Sequence, residues 1–141
     1  MKVSVEKLAE QFEFTLTPLR KDVLTIFVKA KKPLTAYEVL AILSKTRKNA
    51  KPPTVYRVLT FLSARCVLHR INNINSYILC QLREHNHTTS ELIVLCEKCH
   101  QVIEFSDHVL AAMLHKLATK HKIRINTHLI ELSGLCKKCL Q

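Results

Sequence analysis

Apolar residues recur at helical spacing three times in the first 65 residues of the chain. The inner positions of the three stripes are Leu19, Val23, Ile26 and Phe27, then Ala36, Val39, Leu40 and Leu43, then Val55, Val58, Leu59 and Leu62. Helix-start signals precede each stripe: Thr17-Pro18, Thr35 with Glu38 three residues later, and Pro52-Pro53. With a shorter helix near residues 5–12, the pattern predicts a small helical bundle.

Two short β-type runs, Val67–Ile71 and Tyr77–Cys80, follow the third helix, and a polar link of hairpin length joins them. Three helices followed by a hairpin predict a winged helix-turn-helix, with the third helix in the DNA major groove. The outer face of that helix then presents Thr54, Tyr56 and Arg57. Cys66, at its end, is expected to be a buried or half-buried cap residue, strained if its φ is positive.

A polar stretch then breaks both periodicities, and we expect a hinge at residues 83–90 between domains 1–82 and 91–141. Strands are predicted at Leu92–Cys96, Val102–Phe105 and Ile123–Leu132. A helix capped by Ser106 and ending near Lys122 should turn an apolar stripe inward: Val109, Leu110, Met113, Leu114 and Leu117. Gly134 should supply the turn after the last strand. So small a sheet buries little, which favours a second copy of the chain as its cover.

Two Cys-x-x-Cys pairs, Cys96 with Cys99 and Cys136 with Cys139, lie in the second domain. Four thiolates complete the tetrahedral shell of a zinc ion and leave no position for a substrate, so the site should be structural. A redox Cys-x-x-Cys pair would need a thioredoxin-like context, and disulfides would need an oxidising compartment. The predicted fold class is therefore α+β, an N-terminal winged helix-turn-helix domain plus a small C-terminal α/β dimerisation domain with a Cys₄ zinc site.

Charge points to a polyanionic partner. The 141 residues include 22 Lys and Arg against 11 Asp and Glu, a net charge of +11. The start of the chain lacks the apolar core of a signal peptide, and no run approaches 18 apolar residues, so we expect a cytoplasmic protein without a membrane contact.

Several runs together resemble the ferric uptake regulator family, and most closely its zinc-sensing branch, over nearly the whole chain. These runs are Lys51–Leu59 (KPPTVYRVL), Val67–Arg70, Asn75–Cys80, Cys96-x-x-Cys99, Val102–Phe105 and Glu131–Cys139. The resemblance implies a homodimeric transcriptional repressor that depends on a metal and has no enzymatic activity. It also implies that Tyr37 and Arg57 read purine positions of double-stranded DNA.

Outside the four cysteines, His69 and Cys80 both fall on the predicted hairpin, and His85 and His87 follow in the hinge. The zinc branch implies a sensory site of His69, Cys80, His87 and Glu104, which brings the zinc count to two per chain. His85 is an alternative to His87, because the segment before Cys96 is longer here than in the zinc-branch pattern. A mixed sulfur, nitrogen and oxygen tetrahedron suits zinc better than ferrous or manganous ions.

The function implied is a zinc-responsive repressor that binds palindromic operator DNA as a dimer when its sensory site holds zinc, and controls zinc-uptake genes. The alternative within the family is an iron- or peroxide-responsive regulator. From a different class, a zinc-ribbon RNA-binding or zinc-buffering protein would show no metal-dependent preference for a duplex palindrome. A zinc hydrolase would need an open coordination position and a general base, and no His-Glu-x-x-His motif is present.

Overall fold

Four helices come first along the chain in the computed structural model, which describes residues 3–81, 90–126 and 129–141. They are α1 (Val5–Gln11), α2 (Pro18–Ala30), α3 (Ala36–Leu43) and α4 (Pro52–Ala64). Each begins at or within two residues of its predicted start, because the start signals are local. The Thr17 hydroxyl accepts a hydrogen bond from the Arg20 N–H at 3.4 Å. Thr35 and Glu38 form the predicted capping box, with the Glu38 carboxylate accepting the Thr35 N–H at 2.7 Å.

The core of the first unit contains all four predicted inner positions of α4, each of them buried. In α2 the buried face is wider and shifted, so that Leu24 is fully buried while Leu19 and Ile26 are only half-buried. The reason is that α2 contacts α1, α3 and α4, so more than one side of it is covered. Leu40 of α3 is likewise half-buried rather than buried.

The hairpin consists of β1 (Leu68–Ile71) and β2 (Ser76–Leu79), paired antiparallel with Leu68 opposite Leu79. Their link is a short 3₁₀ turn closed by Asn75, whose φ is 45°. Between α4 and β1, Cys66 is half-buried with a φ of 58°, a left-handed conformation that is strained for a residue with a side chain. Helices and hairpin together form the predicted winged helix.

The second unit has a three-stranded sheet of order β4-β3-β5 and one helix. The elements are β3 (Ser90–Cys96), β4 (Val102–Asp107), α5 (His108–His121) and β5 (Leu129–Gly134). Strand β3 pairs antiparallel with β4 and parallel with β5. The combination of a winged helix with this small α/β unit confirms the predicted α+β class.

Three predictions for the second unit were wrong in detail. The cap of α5 is Asp107, whose carboxylate accepts the Leu110 N–H at 2.7 Å, because β4 continues through Ser106. The last strand begins at Leu129, since residues 123–126 have no strand partner; residues 127–128 lie outside the described part. Gly134 is the last residue of β5, opposite Cys96, and does not make the turn itself.

A fourth correction concerns the apolar stripe of α5. Leu110 and Leu114 are half-buried, but Val109, Met113 and Leu117 have exposed fractions of 68%, 58% and 50%. A single copy of this unit does not offer α5 enough apolar surface to cover its stripe.

The chain divides into two compact units, residues 1–80 and 81–141. Of the predicted hinge, residues 83–89 lie outside the described part and Ser90 is the first residue of β3, so domains 1–82 and 91–141 with a hinge between them stay a prediction. Within the described ranges, no helix combines the length and apolar character needed to cross a membrane.

Candidate metal centres and DNA-binding surface

The register of parallel strands β3 and β5 brings the two Cys-x-x-Cys pairs side by side. Cys96 ends β3 opposite Gly134, and the Glu97 N–H donates to the Gly134 carbonyl at 2.9 Å. Each pair lies in a tight turn: the His100 N–H donates to the Cys96 carbonyl, and the Cys139 N–H donates to the Cys136 carbonyl, both at 2.8 Å. Two such turns at one edge of the sheet direct four thiols to one point.

The four sulfur atoms fit a zinc ion. All four lie within 4.8 Å of one another, and those of Cys99 and Cys136 are 3.6 Å apart. A regular tetrahedron with metal–sulfur bonds of about 2.3 Å requires about 3.8 Å between sulfur atoms. None of the six cysteines is in a disulfide. The donor set and its spacing therefore match a structural zinc site.

The peptide surroundings already favour a thiolate within this cluster. The Cys136 N–H donates to the Cys96 sulfur at 3.4 Å, and this and neighbouring backbone donors lower the pKa of Cys96 to about 6. Hydrogen bonding to the Cys136 sulfur raises the pKa of Cys139 to about 12. Metal ligation requires the thiolate form, so a divalent cation bound here would displace the thiol protons.

A second potential ligand pair lies on the wing. His69 is buried in β1, and Cys80 is the buried residue that follows β2. The Cys80 N–H donates to the Val67 carbonyl at 2.9 Å, which extends the hairpin pairing and holds the thiol next to β1. An imidazole nitrogen of His69 and the Cys80 sulfur lie within 4.8 Å of each other. The pairing of the two strands therefore brings together a nitrogen and a sulfur ligand that are eleven positions apart in sequence.

Glu104 lies in β4 of the second unit, half-buried, and its carboxylate accepts the Gln81 N–H at 2.8 Å. Gln81 directly follows Cys80 in the chain. No pattern in the sequence could have predicted this contact, because every residue except proline carries a backbone N–H. His85 and His87, the two candidate hinge ligands, lie outside the described residues.

The predicted DNA-binding side chains lie on one helix pair of the winged helix. Tyr37, in the first turn of α3, has an exposed fraction of 66%. Tyr56 and Arg57 in α4 are exposed, and Thr54 is half-buried. Thr54, Tyr56 and Arg57 follow Pro52 and Pro53, which have no backbone N–H to donate to a phosphate. Any hydrogen bonds from this end of α4 to DNA must therefore come mainly from side chains.

A winged helix joined to a small α/β unit with a four-cysteine metal centre defines the class of protein as a metal-binding winged-helix protein. Residues 11–133 match the Ferric uptake regulator family. The chain belongs to that family, so the resemblance found in the sequence is confirmed.

The relatives include proteins named for zinc. The chain is 35% identical over 136 residues to the zinc uptake regulation protein of Escherichia coli K12, covering 96% of this chain and 79% of the relative. Among solved structures, a zinc uptake regulator complexed with zinc and DNA matches with a TM-score of 0.83 and 34% identity, covering 96% of this chain and 89% of the other. Holo XcZur matches with a TM-score of 0.81 and 32% identity, covering 96% and 94%.

Proposed function

We propose that this protein is a zinc-responsive transcriptional repressor that binds operator DNA as a homodimer and controls zinc uptake. The likeness to zinc uptake regulators over nearly the whole chain supports this proposal, and their role is regulation rather than catalysis. A regulator of this kind acts where the DNA is, so the proposed location is the cytoplasm.

The proposed zinc content is two ions per chain. The first is structural and is held by Cys96, Cys99, Cys136 and Cys139, whose closed shell leaves no open position for chemistry. The second is sensory and is held by His69, Cys80 and Glu104, with His87 or His85 as the fourth ligand. Support for Glu104 comes from its hydrogen bond to Gln81, the residue after Cys80.

The observation that favours zinc over iron is the buried His69 and Cys80 pair on the wing, with ligand atoms within 4.8 Å. A thiolate and an imidazole suit zinc, whereas ferrous and manganous ions prefer oxygen and nitrogen ligands. The thiol of Cys80 is therefore the proposed determinant of metal selectivity.

Exposed apolar residues support the proposed dimer. Val109, Met113 and Leu117 follow one stripe of α5, and Phe105 of β4 and Leu132 of β5 are about half exposed as well. Large apolar side chains left exposed on a helix and on a sheet are typical of a subunit interface. A second copy would cover them and supply the apolar contacts that the small sheet lacks.

In the proposed mechanism, zinc shifts an equilibrium rather than driving a reaction. The sensory ligands come from both units, so a bound ion restricts the arrangements that the winged helices of a dimer can adopt. One arrangement matches successive major-groove half-sites of a palindrome, with Arg57 and Tyr37 at base edges. Without zinc that arrangement is less populated, and affinity for the operator falls.

The test is a mobility shift of a duplex containing an operator, titrated in parallel with zinc, ferrous iron and manganese at buffered free concentrations. Cys80→Ser should abolish the response to zinc and keep the dimer and the structural zinc. Cys66→Ser is the matched control, since Cys66 is a half-buried cysteine outside both ligand sets. His85→Ala and His87→Ala identify the fourth ligand.

An unchanged zinc response in Cys80→Ser would contradict the assignment. A wild-type response to iron at lower free concentration than to zinc would favour the iron-responsive alternative instead.

A further inference from the structure

Two arginines hold the connection between α1 and α2. The Arg20 guanidinium donates from Nη1 to the Thr15 carbonyl at 2.8 Å, and that of Arg65 donates from Nη1 to the Glu13 carbonyl at 2.7 Å. Glu13 has a φ of 50°, a conformation that residues with a side chain rarely adopt. Arg65 is the cap residue at the end of α4, 52 positions from Glu13. The Arg65 bond therefore fastens the end of α4 to this connection, and the Arg20 bond fastens the start of α2 to it.

The ring of Phe61 lies within cation–π distance of the same two guanidiniums. The Arg20 Cζ is 3.5 Å from the ring centroid, and the Arg65 Cζ is 5.3 Å from it. Phe14 meets the ring edge-on, with centroids 5.9 Å apart. Phe61 and Arg20 are half-buried, and partial removal from water strengthens a cation–π contact. We call Phe61, Arg20 and Arg65 the arginine–phenylalanine stack.

The arginine–phenylalanine stack lies on the same side of α4 as Arg57. Arg57, Phe61 and Arg65 are spaced four residues apart, so they follow one stripe along the helix surface. The neighbouring face is packed by Val55, Val58, Leu59 and Leu62, and Phe61 borders the same core. Apolar packing alone is non-directional and permits small rotations and shifts of a helix. A planar guanidinium that donates a hydrogen bond to a carbonyl is directional, so such bonds restrict the rotation and shift of the helix.

We propose that Phe61, in contact with the guanidiniums of Arg20 and Arg65, is a positioning residue that sets the orientation of α4 and hence the direction in which the Arg57 side chain points toward its base. The inference rests on the proposed function, in which α4 reads operator DNA. Phe61 itself does not contact DNA. It raises the preference for the operator over other sequences, because only base reading requires Arg57 at a fixed angle.

The competing role for this cluster is a phosphate clamp, in which Arg20 and Arg65 contact the DNA backbone. Lysine replacements separate the two roles, since lysine keeps the charge but loses the planar fork that stacks and bonds to the carbonyl. Phosphate contacts add sequence-independent affinity and steepen the salt dependence, whereas positioning changes neither.

The experiment uses the full-length zinc-loaded protein, the duplex that wild type selects from a random-sequence library, and a scrambled duplex of equal length and composition. Phe61→Leu, Phe61→Tyr, Arg20→Lys and Arg65→Lys are compared by affinity for both duplexes and by its salt dependence. Hydrogen exchange of the backbone N–H groups at the end of α4, measured without DNA, follows the stack itself. Phe61→Tyr is the matched control, because it keeps the ring.

Phe61→Leu and Arg65→Lys should each lose about three- to tenfold in affinity for the selected duplex, the factor expected for one or two cation–π contacts. Affinity for the scrambled duplex should stay within about twofold, with an unchanged salt slope. Exchange at the end of α4 should become faster, and Phe61→Tyr should behave as wild type. If Phe61→Leu proves unstable, the two lysine variants carry the test.

Equal losses on both duplexes, or lysine variants that bind as wild type, would overturn the positioning role. Unchanged selectivity in Phe61→Leu would do the same. A wild type that selects no duplex in zinc contradicts the proposed function instead, and the exchange measurement then still tests whether the stack holds the end of α4.

Discussion

The two units of this protein are stabilised in different ways. Twenty apolar or cysteine side chains are buried in the described residues of the first unit, 3–80, whereas the described residues of 81–141 bury six. Two of those six, Cys96 and Cys136, belong to the four-cysteine centre. The first unit therefore has a core sufficient for its size. We expect the second to depend on a metal and a partner subunit, as small domains commonly do.

Charge is divided in the same way. Residues 1–80 contain 14 Lys and Arg against 5 Asp and Glu, a net charge of +9, while residues 81–141 contain 8 against 6, a net charge of +2. The basic unit is the one with Arg57 and Tyr37 exposed. The nearly neutral unit has the exposed apolar stripe, which fits an interface with a second copy rather than with a polyanion.

The largest expected effect is loss of the proposed structural metal. Cys99→Ser removes one of four thiolates and should forfeit much of a binding free energy on the order of 10 kcal/mol, which for a small metal-stabilised domain is folding free energy. The second unit should unfold and the protein become monomeric. Metal analysis and size-exclusion chromatography measure this.

The first unit of Cys99→Ser should stay folded, with the far-ultraviolet circular dichroism of its helices retained. A variant that is dimeric with unchanged zinc content would show that the four cysteines do not stabilise the second unit.

Core truncations should affect the two units unequally. Leu62→Ala removes a fully buried side chain of α4 and should cost about 2 to 5 kcal/mol in the free energy of unfolding. Leu117→Ala removes a half-exposed side chain of α5 and should change the stability of the separate monomer by less than about 0.5 kcal/mol. Denaturant unfolding at several protein concentrations measures both.

If Leu117 lies in the dimer interface, its truncation should raise the dimer dissociation constant, and the apparent stability of the variant should depend more steeply on concentration. An equal loss in the two variants at low concentration would mean that α5 is packed within one chain.

Arg57→Ala should cost about 1 to 3 kcal/mol in binding to operator DNA and much less on a random duplex. Its matched control is Lys48→Ala, an exposed basic residue ahead of α4, which should weaken both duplexes about equally. Competition assays at fixed salt compare them. Similar losses on both duplexes for Arg57→Ala would reduce its role to a backbone contact.

The smallest expected effect is at the capping box of α3. Thr35→Ala removes the cap and should cost about 1 kcal/mol in unfolding free energy. Hydrogen bonds from the Thr35 N–H and hydroxyl lower the pKa of Glu38, so its contribution is complete above the pKa of the unfolded chain and is lost as the pH falls through the lower folded value. Urea unfolding between neutral and acidic pH should show a weaker acid dependence in Glu38→Gln.

Local features of this protein were determined by its sequence. The caps at Thr17 and Thr35, the inner face of α4, the hairpin with its Cys66 conformation and the two Cys-x-x-Cys turns all depend on residues within a few positions of one another. The family resemblance rests on such runs as well, and it supplied the ligand and DNA-contact residues that stay proposals.

The tertiary structure decided what depends on distant partners. The strand β4 continues through Ser106 because β3 continues opposite it, and this moves the cap of α5 to Asp107. The stripe of α5 remains exposed because no other element of the described chain covers it. Arg20 and Phe61, 41 positions apart, form a stack that the hydrophobic periodicity of the sequence does not predict. Sequence spacing specifies which groups are close along the chain, whereas tertiary packing decides which distant residues come into contact. Those tertiary contacts determine the burial and orientation of the side chains.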